Sequence, residues 1–402
     1  MSKVYALIPA RGGSKRLKRK NIREFLGKPM IWWSIQAAKQ ASKVDEVWVS
    51  SEDPEILRFS GVHCRTLVRP KELAEDHVWT RDVVAHFIEE VDVQPEDIIV
   101  VVQANSPEVE PYYINMAVGG VKDGGLWESH SVDKHLINNG AIHAFRAKVN
   151  EHKGKANYNG VIKTNYVDVH TEEDLKMSEE NKALALATDL YTGGFISIPG
   201  FWSEEECDDL ASKVRSFWVE ERAKGFPGGD YMVSPPDANL DKGLLKKGRS
   251  VLNLRGSRGY DENMIDMLYA ERMFPEIKRL QEEPLIKAIK LELEDMNERS
   301  LNFARYHLYL NESATSTRGF HRDSDKPGLQ YKAFIYLTDV PDKSYGPYCY
   351  KQNTLSSSKG EATVCTATKG TLIMSDQHGL HRGFPQERGK HRIMLVLNIF
   401  DG

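Results

Sequence analysis

Two stretches of the chain carry residues whose types and spacing suit chemistry. The first is G-F-H-R-D, which sets His321 and Asp323 two positions apart at the end of a strand-like run, where both side chains would share one face. A third ligand is offered by H-G-L-H-R-G, in which His381 precedes Arg392 by eleven residues. Two imidazoles and one carboxylate leave coordination positions open, the donor set of a non-haem Fe(II) centre that activates oxygen. His378 and His391 stand close enough in sequence to compete for the third place. The second stretch is I-P-A-R-G-G-S-K-R-L-K-R-K-N, directly after the first apolar run. Its Gly12 and Gly13 permit close backbone approach, and Arg11, Lys15, Arg16, Lys18, Arg19 and Lys20 supply charge for a triphosphate. A solvated basic turn is the plainer reading of the same charges. The glycine spacing is neither that of a Walker loop nor that of a dinucleotide fingerprint.

The elements that must position these groups differ between the two halves. Residues 3–9 read as a strand, P-M-I-W-W-S-I-Q-A-A-K-Q-A as a helix, D-E-V-W-V-S-S as a strand, W-T-R-D-V-V-A-H-F-I-E-E-V as a helix, and D-I-I-V-V-V-Q-A as a strand buried on both faces. Such alternation predicts a mostly parallel sheet with helices on both sides, and ligands at the carboxyl ends of its strands. Beyond a boundary near 176–186 comes a fresh strand and helix, then a glycine-rich loop at 225–243 and two helical segments around 264–295. The last hundred residues are short β-branched and aromatic runs, the pattern of an antiparallel barrel or double-sheet jelly roll.

The N-terminal blocks carry a resemblance. I-P-A-R-G-G-S-K-R-L-K-R-K-N-I, then G-K-P-M-I, V-W-V-S-S-E-D-P-E-I, V-V-V-Q-A-N-S-P-E-V, N-N-G-A-I-H-A-F and Y-V-D-V-H-T-E-E-D-L resemble, in order, the CMP-sialic acid synthetase (acylneuraminate cytidylyltransferase) family over about residues 3–180. The resemblance implies a Rossmann-like nucleotidyltransferase domain, 1–180, that moves CMP from CTP to a sugar acid with Mg²⁺. It also implies Arg11, Gly12, Gly13, Ser14, Lys15 and Lys20 at the phosphates, and Asn21, Arg69, Thr80 and Gln103 near the nucleotide. Of the family's paired metal aspartates only Asp168 is kept, because His170 replaces the second, and imidazole is a poor ligand for a hard ion. The resemblance leaves open a homo-oligomer through this domain, and the short interval Ser106–Asn138, where the family builds sugar-binding and dimer-contact parts, implies a reduced or different acceptor site.

The C-terminal half resembles the phytanoyl-CoA dioxygenase family over about 187–402. The resemblance rests on G-G-F-I-S-I-P-G-F-W-S-E-E-E-C-D-D-L-A-S-K-V, H-x-D, Y-K-A-F-I-Y-L-T-D-V, G-T-L-I-M-S-D-Q-H-G-L-H-R-G and the later Arg. It implies a double-stranded β-helix (jelly roll) binding Fe(II) through His321, Asp323 and His381, with Arg392 on the distal carboxylate of 2-oxoglutarate and O2 as oxidant. Retention of Asp323 favours hydroxylation over halogenation. Tyr306, Tyr309, Tyr331 and Lys332 are further candidates for the pocket wall, or plain barrel filling.

Composition sets limits around these expectations. With 54 Lys+Arg against 58 Asp+Glu, the net charge of -4 excludes a general polyanion binder, so small-molecule substrates are expected and nucleic acid is not. Four scattered cysteines without a C-x-x-C pair suit a reducing compartment. No apolar run reaches a membrane span and no secretory leader is legible, so the expectation is a cytoplasmic protein without membrane contact. The open alternatives are a bifunctional enzyme, a dioxygenase with a nucleotide-holding front domain, and a non-catalytic binding protein.

Overall fold

A computed structural model describes residues 2–148, 159–234, 248–255, 263–323, 328–351 and 362–401. The chain divides into two compact units, Met1–Lys182 and Ala183–Gly402. The division falls inside helix α5 (Glu172–Gly193).

Apart from a two-residue hairpin pair, Glu24–Phe25 with Lys28–Pro29, the strands of the first unit are β1 (Val4–Pro9), β2 (Glu46–Ser51), β3 (Arg65–Val68), β4 (Ile98–Val102), β5 (Glu128–Val132), β6 (Asn138–Arg146) and β7 (Asn159–Lys163). They form one sheet in the order β3-β2-β1-β4-β6-β5-β7. The run from β3 to β4 is parallel, and β6 turns antiparallel against β4. Helices α1 (Met30–Gln40) and α3 (Thr80–Val91) are the two expected, and α2 (Pro54–Gly61) and α4 (Pro111–Lys122) are additional to them. Alternate side chains of β1 serve opposite faces, as the period of two requires. Val4, Ala6 and Ile8 pack with Ile31, Ile35 and Ile114 of α1 and α4, whereas Tyr5 and Leu7 pack with Val84 and Phe87 of α3. Every residue of β4 is buried, which a strand covered on both faces must be.

The second unit begins with β8 (Phe195–Ile198) and α6 (Glu204–Ala223), the latter opened by a Ser203 and Glu206 capping box. The remaining strands are β9 (Tyr231–Ser234), β10 (Ser250–Leu254), β11 (Met264–Leu268), β12 (Leu301–Glu312), β13 (Gln330–Tyr336), β14 (Tyr348–Lys351), β15 (Ala362–Cys365), β16 (Leu372–Asp376), β17 (Leu380–Gly383) and β18 (His391–Asp401). They make an eight-stranded sheet, β8-β16-β13-β18-β12-β11-β10-β9, and a three-stranded sheet, β15-β14-β17. Phe334, Tyr336 and Val396 of the larger sheet share one buried cluster with Tyr348, Tyr350 and Cys365 of the smaller, so the two sheets are layers about a common core.

Two expectations of local structure are corrected. Within the expected loop 225–243, Tyr231–Ser234 pairs in parallel with Ser250–Leu254, and residues 235–247 lie outside the described ones. Met264–Leu268, read as helical, is a fully buried strand between two neighbours, and the helix proper is Pro284–Asn297. A five-residue apolar run carries no period of its own, and pairing with partners distant in sequence decides its state. No helix among the described residues is long and apolar enough to cross a membrane.

Candidate functional sites

The three expected iron ligands converge in the second unit. His321 Nε2 lies 3.6 Å and His381 Nε2 3.4 Å from the same Asp323 oxygen, Oδ1. One ligand atom from each residue falls within 4.8 Å of the others, and among the described residues this is the one such group of three. The route to convergence differs from that expected. His321 and Asp323 do not share the face of a regular strand; His321 forms an isolated antiparallel bridge with His381, each N–H donating to the other's carbonyl at 3.0 Å. The imidazoles therefore face each other across a backbone pair, and Asp323 N–H reaches Gln377 O from the following turn.

Each ring is aimed by its other nitrogen. His321 Nδ1 lies 2.9 Å from Gly319 O and His381 Nδ1 3.0 Å from Gly379 O. Carbonyl oxygens only accept, so Nδ1 carries the proton and Nε2 keeps its lone pair for a metal. Asp323 Oδ2 pairs with Lys332 Nζ, leaving Oδ1 to the histidines. Burial alone would raise the Asp323 carboxyl, but the Lys332 ammonium beside it holds it far below the usual carboxylate range.

Arg392, at the start of β18, opens onto the same cavity of about 140 Å³. Its guanidinium is 3% exposed. Nε and Nη1 have no hydrogen-bond partner, while Nη2 donates to the Asn311 side-chain oxygen at 2.8 Å. Burial lowers its affinity for the proton, opposed by Tyr336 and Tyr309. A buried cation with two idle donors is costly unless a carboxylate completes it. The donor set thus fits Fe(II), and the idle fork fits a dicarboxylic co-substrate.

Of the other candidates, Tyr309 and Lys332 line this cavity, whereas Tyr306 bonds to Lys278 O and Gln281 away from it, and Tyr331 is core. His378 pairs with Asp376 at 3.3 Å, outside the triad. Sequence reading missed Arg255, Arg318, Tyr348 and Gln377, which also line the cavity. Nothing local marks them, because they come from different strands and turns. The Q-N-T-L-S-S run after Lys351, which departs from the proline, glycine, serine and histidine run of the resembled dioxygenase family, lies outside the described residues.

The first unit holds a cavity of about 340 Å³ bordered by Arg11, Lys20, Asn21, Arg69, Gln103 and Asp168, with Thr80 and His170 completing it. Arg11, Arg69 and Gln103 follow the carboxyl ends of β1, β3 and β4, where a parallel sheet leaves its crevice. The loop is closed by Asn21, whose amide donates to Arg11 O at 2.9 Å. Gly13, Ser14 and Lys15 border a shallower neighbouring hollow. Gly12 N–H donates to Glu52 Oε1 at 2.8 Å, and Glu52 Oε2 pairs with Arg69 at 3.1 Å. Asp76 takes both Arg11, at 2.7 Å, and Lys15. Several of the expected phosphate donors are thus held by Glu52 and Asp76, two carboxylates that sequence reading left unassigned.

Lys20 donates to Val169 O at 2.9 Å, and burial, with Arg16 and Arg11 nearby, lowers its ammonium to about 8. Each Asp168 oxygen has a partner: Oδ1 accepts from Asn105 and Oδ2 lies 2.8 Å from His170 Nε2. The other nitrogen of His170 faces Arg16 at 3.2 Å and Lys20 at 3.4 Å. The corner formed by Asp168 and His170 does not fit the Mg²⁺ expected of the resembled family, since where that family pairs two carboxylates it offers one, already bonded to Asn105 and His170, beside the cations Arg16 and Lys20; Glu75 and Asp76 also line the cavity, with Asp76 paired to Arg11 and Lys15.

Residues 5–159 match the family model described as cytidylyltransferase. Pseudaminic acid cytidylyltransferase of Campylobacter jejuni is 45% identical over 89 residues, 22% of this chain and 38% of the relative. N-acylneuraminate cytidylyltransferase B of Danio rerio is 37% identical over 123 residues, 30% of this chain and 28% of the relative. The chain thus spans well under half the length of these relatives. Among solved structures, a CMP:2-keto-3-deoxy-manno-octonic acid synthetase complexed with CTP is 19% identical with a TM-score of 0.39, covering 46% of this chain and 100% of that one. The non-heme alpha ketoglutarate dependent carbocyclase SnoK is 16% identical with a TM-score of 0.39, covering 54% of this chain and 83% of that one.

Proposed function

We propose that the second unit is an Fe(II)- and 2-oxoglutarate-dependent dioxygenase of jelly-roll type that hydroxylates a small metabolite, a sugar acid or a CMP-linked compound. The first unit is a cytidylyltransferase-type unit that takes CTP and moves CMP to a sugar acid. The observation that carries the first half is the convergence of His321, Asp323 and His381 beside a buried, incompletely bonded Arg392. Bound iron would supply oxygen activation coupled to oxidative decarboxylation of 2-oxoglutarate to succinate.

The protein's own residues do the positioning. Gly319 O and Gly379 O keep both Nδ1 atoms protonated, so both Nε2 atoms stay available through the cycle. Lys332 occupies one Asp323 oxygen and leaves the other to ligate. Arg392 orients the co-substrate through its distal carboxylate, as a planar fork does best. With the carboxylate ligand retained, no ligand position is vacated for a halide, and hydroxylation is the outcome.

The deciding experiment is substrate-stimulated succinate formation with CMP-activated sugars and free sugar acids in separate wells. Anaerobic Fe(II) with 2-oxoglutarate should also give a weak visible charge-transfer band, lost in Asp323→Ala and His381→Ala. Absence of both band and succinate overturns the dioxygenase reading in favour of a binding protein.

A second reading of the first unit, a nucleotide-holding module without turnover, is favoured by the committed Asp168 and by His170. Pyrophosphate release from CTP with candidate acids separates the two, and release that appears only in His170→Asp supports the module.

A further inference from the structure

The loop's cations are not equivalent. Arg11 and Lys15 are spent on Asp76, and Arg19 on Glu55. Arg16 and Lys20 turn instead to His170, and among the described residues neither has a carboxylate within ion-pair distance. The nearby acids are committed elsewhere. Asp168 serves Asn105 and His170, and Asp174 accepts the N–H groups of His170 and Thr171 that open the following helix.

A divalent ion placed between Asp168 and His170 would find one carboxylate in place of two and would face two positive charges. A phosphate placed here would meet a guanidinium fork and an ammonium with charge to spare.

We propose that the first unit holds the phosphate of a cytidine nucleotide directly on Arg16 and Lys20, with no divalent cation between them. The proposal rests on the reading that this unit binds cytidine nucleotides, and it names the ligand class that suits the site best. Two cations match a single phosphate, as in CMP or the phosphodiester of a CMP-sugar. The further phosphates of CTP must first displace Asp76 from Arg11 and Lys15.

The test is isothermal titration calorimetry of the full-length protein with CMP and with CTP, in magnesium and in EDTA. CMP is expected to bind equally in both. Arg16→Gln and Lys20→Gln should each weaken it about tenfold or more, the worth of one charge-assisted contact. His170→Asp should weaken CMP in EDTA and introduce a magnesium requirement. Arg16 is exposed, so its variant keeps the test sound if the Lys20 variant folds poorly by circular dichroism. Binding of CMP only with magnesium, or unchanged binding in both cation variants, overturns the proposal. No heat with either nucleotide in any arm sinks the underlying nucleotide reading, and the proposal falls with it.

Discussion

At the scale of single residues, the second unit's site is a matter of which atoms are already satisfied. Arg392 has two buried donors without partners, so its loss removes a clamp and, of the bonds described, frees the Asn311 side-chain oxygen. Arg392→Met, which keeps much of the buried bulk, should weaken 2-oxoglutarate by about 2–5 kcal/mol, the range for truncating one side of a buried charge pair. Titration of the co-substrate against the visible band measures this, and an unchanged affinity would remove Arg392 from its role. In the first unit, Lys20 is held at about 8, mainly by burial. Its protonated form is the one that attracts phosphate, so nucleotide affinity should be level at lower pH and fall as pH rises through about 8. Lys20→Arg should flatten that decline, because guanidinium stays charged; an equal decline in both proteins would assign it to another group.

The scale of elements explains how distant residues reach these sites. His321 and His381 meet through a backbone bridge rather than along one strand, and Arg392 is delivered by the central strand β18, paired on both edges. The turn before β16 shows how tightly such delivery is built. Gly370 has φ 81, donates to Tyr336 O at 2.7 Å and accepts from Trp202 N at 3.0 Å, and an added Cβ would lie 2.1 Å from Trp202 O. Gly389 shares φ 81 but has open space around it. Gly389→Ala should therefore cost about 1–2 kcal/mol of left-handed strain, and Gly370→Ala clearly more, because backbone must also move. Urea unfolding midpoints would show the difference; equal losses would mean that the contact is relieved without cost.

For the whole molecule, the two units are expected to carry separable chemistry. An iron-selective chelator should abolish succinate formation while CMP binding, measured by calorimetry, persists. Loss of both together would overturn that separation. Much of this organisation was legible in the linear order of residues. β1 and β4 are apolar runs, and α1 and α3 are marked by residue pattern, because each of these signals is local in sequence. Met264–Leu268 was misread because its state depends on partners on both sides, and Tyr231–Ser234 because turn residues hide a short paired strand. At the sites, residue types and spacing were enough to nominate His321, Asp323, His381 and Arg392, since ligand chemistry is written in side-chain identity. What the fold alone decided is which of those groups stay free. Glu52 and Asp76 occupy expected phosphate donors, His170 draws Arg16 and Lys20 together, and Lys332 fixes one oxygen of Asp323. Hydrogen bonds and ion pairs act over a few ångströms, and only chain folding brings residues so far apart in sequence within that reach.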